Sequence, residues 1–141
     1  MYTSARNQFK GTVAKIAKGA VNAEVTLKLA GDVEVVASIT VSSLDRLGLK
    51  EGQSAIALIK APQVILVSAD TKLKFSARNH LAGKVASIEK GAVNTIVSVT
   101  LAGGAVLKSV ITEDALSDLG LKEGVAVAAV FKSSSVILAV E

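Results

Sequence analysis

Two short polar segments, Ser4-Ala5-Arg6-Asn7 and Ser76-Ala77-Arg78-Asn79, each set a hydroxyl, a guanidinium and an amide within four residues. Lysines recur at matching places, Lys60 and Lys132, and so do the threonines Thr40 and Thr112. The tetrapeptide Gly-Ala-Val-Asn occurs at Gly19, Ala20, Val21 and Asn22 and again at Gly91, Ala92, Val93 and Asn94. Together these residues are rich in hydrogen-bond donors. Donors that include cations suit a small oxyanion. Each residue also has a plain structural use. An arginine pairs with a carboxylate, a threonine caps a helix, and an asparagine accepts the backbone of a tight turn.

Catalysis finds little support. There are no cysteines and His80 is the single histidine, so thiolate chemistry and His-rich metal clusters are excluded. Neither a phosphate-cradling G-x-x-x-x-G-K-[ST] loop nor a G-x-S-x-G elbow occurs. The carboxylates are scattered, and the Glu51/Glu123 pair alone recurs, inside a Lys-Glu-Gly turn. Binding without chemistry is the expected class, with no organic cofactor.

All of these groups recur because the chain is one unit written twice. A shift of 72 residues brings Ser4 onto Ser76, Gly19 onto Gly91 and Val64-Ile65-Leu66 onto Val136-Ile137-Leu138, without a gap. It also superposes Leu47-Gly48-Leu49-Lys50-Glu51-Gly52 on Leu119-Gly120-Leu121-Lys122-Glu123-Gly124. The expected modules are residues 1–69 and 76–141, joined by 70–75.

Each repeat alternates apolar and polar residues with period two, the mark of half-buried strands. Val21, Ala23, Val25, Leu27 and Leu29 point one way, and after the Ala30-Gly31-Asp32 turn Val33, Val35, Ala37, Ile39 and Val41 continue the pattern. Gln8–Ile16 forms an earlier strand, with a bulge or bend expected at Gly11 and Gly83. Ser54–Lys60 and Val64–Val67 supply the last two strands. Ser42 to Gly48 reads as one or two helical turns, with serines for the N-cap and Gly48 for the end. The predicted fold is all-β: two tandem OB-like five-stranded barrels, each with a short helix between strands 3 and 4. A barrel of this size with so few aromatics buries little by itself. The apolar residues on its nominal outer face, Val36, Ile96, Val106 and Val110, therefore call for cover by another module.

The +4 charge divides evenly between the two halves, with no basic tail or lysine run. That speaks against a nucleic-acid-binding protein, which concentrates cations on one face and stacks bases on aromatic rings. Here only Tyr2, Phe9, Phe75 and Phe131 are available, and the phenylalanines sit in apolar strand contexts. An OB-fold nucleic-acid binder is nonetheless the main alternative. The N-terminal segment has no apolar core of the secretory kind. The longest uncharged stretch, Gly91–Leu107, is too short and too polar to span a membrane. A cytoplasmic protein is expected.

The Ser-Ala-Arg-Asn segments, Gly19-Ala20-Val21-Asn22, Ile39-Thr40 and Lys60-Ala61-Pro62 resemble the Mop family, molybdate-binding modules with an OB-like fold. The resemblance covers nearly the whole chain and is closest to the two-module, molybdate-storing kind. It implies molybdate, or tungstate, held at interfaces between modules of a homo-oligomer, expected to be a trimer. One class of site would draw on Ser4, Arg6 and Asn7 (Ser76, Arg78 and Asn79 in the second copy) from one module. Its partner module would add Thr40, Ser43, Lys60 and Ala61, or Thr112, Lys132 and Ser133. A second class is implied at the turns Gly19–Asn22 and Gly91–Asn94. The copies are not equivalent. Val41-Ser42-Ser43 becomes Glu113-Asp114-Ala115, which removes a hydroxyl and adds two carboxylates, and Lys60-Ala61-Pro62 becomes Lys132-Ser133-Ser134. The pockets built on Thr40, Ser43 and Lys60 are therefore expected to be the better ones.

Overall fold

The computed structural model describes residues 3–141; Tyr2, one of the aromatics weighed above, lies outside the described residues. In the first repeat β1 (Asn7–Lys18), β2 (Asn22–Lys28) and β3 (Glu34–Thr40) form a meander. The helix α1 (Val41–Leu47), β4 (Ser54–Ile59) and β5 (Ile65–Ser68) follow. The second repeat gives β6 (Asn79–Lys90), β7 (Asn94–Leu101), β8 (Val106–Thr112), α2 (Glu113–Asp118), β9 (Ala126–Phe131) and β10 (Ile137–Ala139). The predicted five strands and intervening helix of each repeat are thus present. Single turns of 3-10 helix occupy Ala30–Asp32, Ala61–Gln63, Ala102–Gly104 and Ser133–Ser135.

The alternation works as expected on β2, where Ala23, Val25 and Leu27 are buried while Lys28 is exposed. Val21 departs from it. It stands in the turn before the strand and is 70% exposed, as is its counterpart Val93 at 76%. The helix is capped two residues earlier than the first of the serines implies. Thr40 Oγ1 accepts a hydrogen bond from Ser43 N at 3.0 Å, and Gly48 closes the other end in the left-handed region (φ 64°). The irregularity expected at Gly11 and Gly83 falls three residues later. Register slips between Val13 and Lys15 and between Val85 and Ser87. The glycines answer to crowding instead: a Cβ on Gly83 would stand 2.5 Å from the Thr100 carbonyl oxygen.

What the repeat does not announce is an exchange of strands. The first sheet runs in the order β10-β4-β1-β2-β3, and the second runs β5-β9-β6-β7-β8. Each sheet therefore takes four strands from one repeat and its fifth from the other. Leu138 pairs with Ala57 on β4, and Leu66 pairs with Ala129 on β9, all four buried. β10 comes round beside β3 and β5 beside β8, curling each sheet towards closure. The buried side chains of both repeats form one continuous cluster, from Phe9 and Val25 to Val99 and Phe131.

The two β2–β3-type hairpins also meet tip to tip. Gly31 (φ 73°) and Gly103 (φ 84°) both adopt backbone that favours glycine, and a Cβ on Gly31 would lie 2.5 Å from Gly103 N. Gly48 shares the left-handed backbone but has open space around it. Gly48→Ala should cost only the backbone strain, about 1 kcal/mol. Gly31→Ala and Gly103→Ala should each cost clearly more, because neighbouring backbone must also move. Urea unfolding of the three variants checks the order.

Candidate functional site

The start of β1 pairs with the end of β4, Asn7 opposite Ile59, which sets Ser4–Asn7 beside Lys60. Asn79 opposite Phe131 likewise sets Ser76–Asn79 beside Lys132. Each polar segment then crosses onto the other repeat. Asn79 Nδ2 donates to Val36 O at 2.9 Å and its Oδ1 accepts from Val36 N at 2.8 Å. Asn7 does the same to Lys108, at 2.8 and 2.7 Å. Val36 and Lys108 lie on β3 and β8, the outermost strands of the two sheets, so the amides satisfy backbone groups that an edge leaves open. Both asparagines are 1% exposed. Both amide side chains thus clamp one repeat onto the edge strand of the other.

Thr40 and Ser43 do not meet Lys60 within the chain. Because strands are exchanged, the Ser133–Ser135 turn packs on β3, and the Ala61–Gln63 turn packs on β8. Thr40 and Ser43 therefore line a cavity of about 430 Å³ together with Asn22, Ser38, Arg46 and Ser134. Ile39, Leu47 and Ile137 form its apolar wall. The Thr40 hydroxyl accepts from Ser43 N and donates to Ser43 Oγ at 2.9 Å, leaving the Ser43 proton free to donate outward. Lys132, two residues before Ser134 in the chain, lines a separate hollow of about 410 Å³ that also takes in Ala77, Pro62 and Gln63. Ser4, Arg6, Lys60, Ser76, Arg78, Thr112 and Lys132 are all exposed, Ser133 is half-buried, and Ala61 is buried.

The turns implied as a second site are tight loops closed by Gly19 N to Asn22 O and Gly91 N to Asn94 O, both 2.8 Å. Ala20, Val21, Ala92 and Val93 stand exposed at their tips. Asn22 pairs with Thr40 in the β2–β3 ladder, and Asn94 with Thr112 in β7–β8. On the first repeat the turn and the Thr40 residues thus share one cavity.

The two ends of the molecule differ in charge. At the position of Arg46 the second repeat has Asp118, and Glu113 and Asp114 occupy the first turn of α2. Both carboxylates are exposed, beside the donating end of the helix. The Thr40 side is accordingly the more cationic. Arg78 donates from Nη1 to Glu24 Oε1 and Oε2 at 2.7 and 2.6 Å, whereas Arg6 makes no ion pair among the described residues. Arg46, Ser38, Ser134 and Glu24 escape a search for repeated residues because none of the four is repeated. Among the described residues, no group of three or more His, Asp or Glu could hold a metal ion. No helix there is long and apolar enough to cross a membrane.

Two OB-like sheets with exchanged outer strands, and with hydroxyl, amide and cationic side chains gathered where the repeats meet, make this a duplicated all-β module. The TOBE-domain model matches residues 3–66 and again 76–138, and the chain belongs to that family. It is 44% identical over 141 residues to the molybdenum transport protein ModE of Herbaspirillum seropedicae, covering all of this chain and 52% of that protein. It is 42% identical over 139 residues to the molybdenum-pterin-binding protein MopA of Rhodobacter capsulatus, covering 99% of this chain and 52% of MopA. The chain thus spans about half the length of these curated relatives. The crystal structure of the cytoplasmic molybdate-binding protein ModG with molybdate bound superposes with a TM-score of 0.95, at 45% identity and over the whole of both chains. The resemblance to Mop modules holds, as does the predicted fold class.

Removing the Asn79 amide strands Val36 N–H and C=O in a half-buried place. Asn79→Ala should lower stability by about 1–3 kcal/mol, the usual penalty for unpaired buried polar groups. A lowered urea midpoint with an unchanged slope is the expected reading.

Proposed function

We propose that the protein binds molybdate, or tungstate, without catalysing a reaction, and that it stores or buffers the oxyanion in the cytoplasm. The observation that carries this reading is the composite cavity. Thr40, Ser43, Asn22 and Arg46 from one repeat face Ser134 of the other across it, with Lys132 alongside. A tetrahedral dianion leaves water only if its oxygens find replacement donors. This set offers hydroxyl and amide donors with a few cations, enough to offset desolvation without fixing the anion irreversibly. The ModG likeness and the molybdenum-binding names of several relatives support the same ligand.

The modules are taken as residues 1–69 and 76–141, with 70–75 as the joint. The assembly is a homo-oligomer, expected to be a trimer, and the exposed Val21, Ile65, Leu73, Val93, Val106 and Ile137 are apolar residues available for its interfaces. Completed sites at those interfaces would bring the Arg6 and Lys60 side of one copy to the Thr40 side of another. No nucleic acid or membrane takes part.

Equilibrium dialysis against molybdate, tungstate, sulfate and phosphate tests the reading. Micromolar uptake of the first two, with sulfate and phosphate bound more weakly, is expected; absence of molybdate binding in that range overturns it. Arg6→Ala and Lys60→Ala replace exposed side chains and should weaken uptake while leaving the far-UV spectrum unchanged. If uptake is unchanged in both, those two residues are not ligands.

A further inference from the structure

The two arginines of the repeated segment stand in opposite electrostatic states. Arg78 reaches over the edge strand β3 to Glu24 on β2, and one of its Nη atoms is shared between both carboxylate oxygens. The position equivalent to Glu24 in the second repeat is Ile96, which offers Arg6 no charge. Glu24 lies opposite Ser38 in the ladder, and the next outward-facing pair is Asn22 and Thr40. Ser38, Asn22 and Thr40 all line the 430 Å³ cavity. A carboxylate therefore stands beside the strand positions that line the Thr40 cavity and occupies a guanidinium that belongs to the proposed anion-binding segment.

We infer that Glu24 is an affinity-setting residue: it is a resident carboxylate that an incoming oxyanion must displace from Arg78. This rests on the oxyanion-binding reading above and deepens it. The pair is suited to displacement. Both side chains are about half exposed (55% for Arg78 and 40% for Glu24), and an ion pair in such a setting is weakly held. A dianion attracts the guanidinium more strongly than a monoanion does, and it is repelled by the carboxylate at the same time. When the anion leaves, Glu24 takes the guanidinium back, which favours release. Glu24 thus loosens the Thr40-side pocket, whereas no such competitor faces Arg6.

The test is molybdate binding by equilibrium dialysis of the full chain, wild type against Glu24→Gln, Arg78→Ala and the double variant. Glu24→Gln keeps the shape and removes the charge. It should tighten binding on the order of tenfold, the effect of one charge on a dianion a few ångströms away in a solvent-exposed site. In the Arg78→Ala background most of that gain should vanish, because the carboxylate acts through the guanidinium. Ile96→Glu, placed opposite Arg6, should weaken binding by a similar factor and gives an independent reading should Glu24→Gln fold poorly. If the wild type binds and folded Glu24→Gln binds no more tightly, Glu24 is only a cross-repeat clamp and the inference falls alone. If the wild type binds no molybdate, the oxyanion reading itself falls, and this inference with it.

Discussion

β10 lies along β4 and β5 along β9, so neither repeat completes its own sheet. The reason is visible in the size of the parts. A repeat of under seventy residues with almost no aromatics buries too little apolar surface to stand alone. Exchange removes the problem by making one core from two. Leu66, Leu138, Val64 and Val136 are buried against the opposite repeat's strands, at about 1.5–3 kcal/mol for each large side chain. The remaining open strand edges, β3 and β8, are met by Asn79 and Asn7, and the hairpin tips close on each other at Gly31 and Gly103. All three devices tie one repeat to the other.

The chemistry inherits this geometry. Because β10 runs back to the first sheet, the turn leading into it delivers Ser134 to the Thr40 cavity, and the asparagine clamp on the same side carries Arg78 across β3. A donor set that neither repeat holds by itself therefore assembles where the two meet. Duplication also freed the two ends to diverge. Arg46 lines one cavity while Asp118, Glu113 and Asp114 gather at the other end, and Glu24 pairs with Arg78 while the equivalent position in the second repeat is Ile96. The fold is repeated, but the electrostatics are not.

Much of this is legible in the residues. Period-two alternation locates the strands, and the serines at 42 and 43 with Gly48 locate the helix to within two residues, because these patterns depend on local geometry alone. The exchange was not legible, since Val64-Ile65-Leu66 and Val136-Ile137-Leu138 are identical and either copy satisfies either sheet. That degeneracy also hides the meeting of Thr40 with Ser134. The clamping by Asn7 and Asn79 is not legible for a related reason. Their recurrence marks a constraint, but sequence cannot tell an amide facing a ligand from one facing a backbone. Of the apolar outer positions expected to need cover, Val36, Ile96 and Val110 are half-buried, whereas Val106 is 43% exposed.

The exchange of strands is open to a direct measurement, since the chain contains no cysteine of its own. Leu58 lies opposite Ile137 in the first sheet. In an unexchanged barrel Leu58 would instead lie opposite Ile65, the residue equivalent to Ile137. Two double variants, Leu58→Cys with Ile137→Cys and Leu58→Cys with Ile65→Cys, can be oxidised in the native state and resolved on a non-reducing gel. The account predicts an intramolecular disulfide in the first and none in the second. A disulfide in the second and none in the first would contradict it.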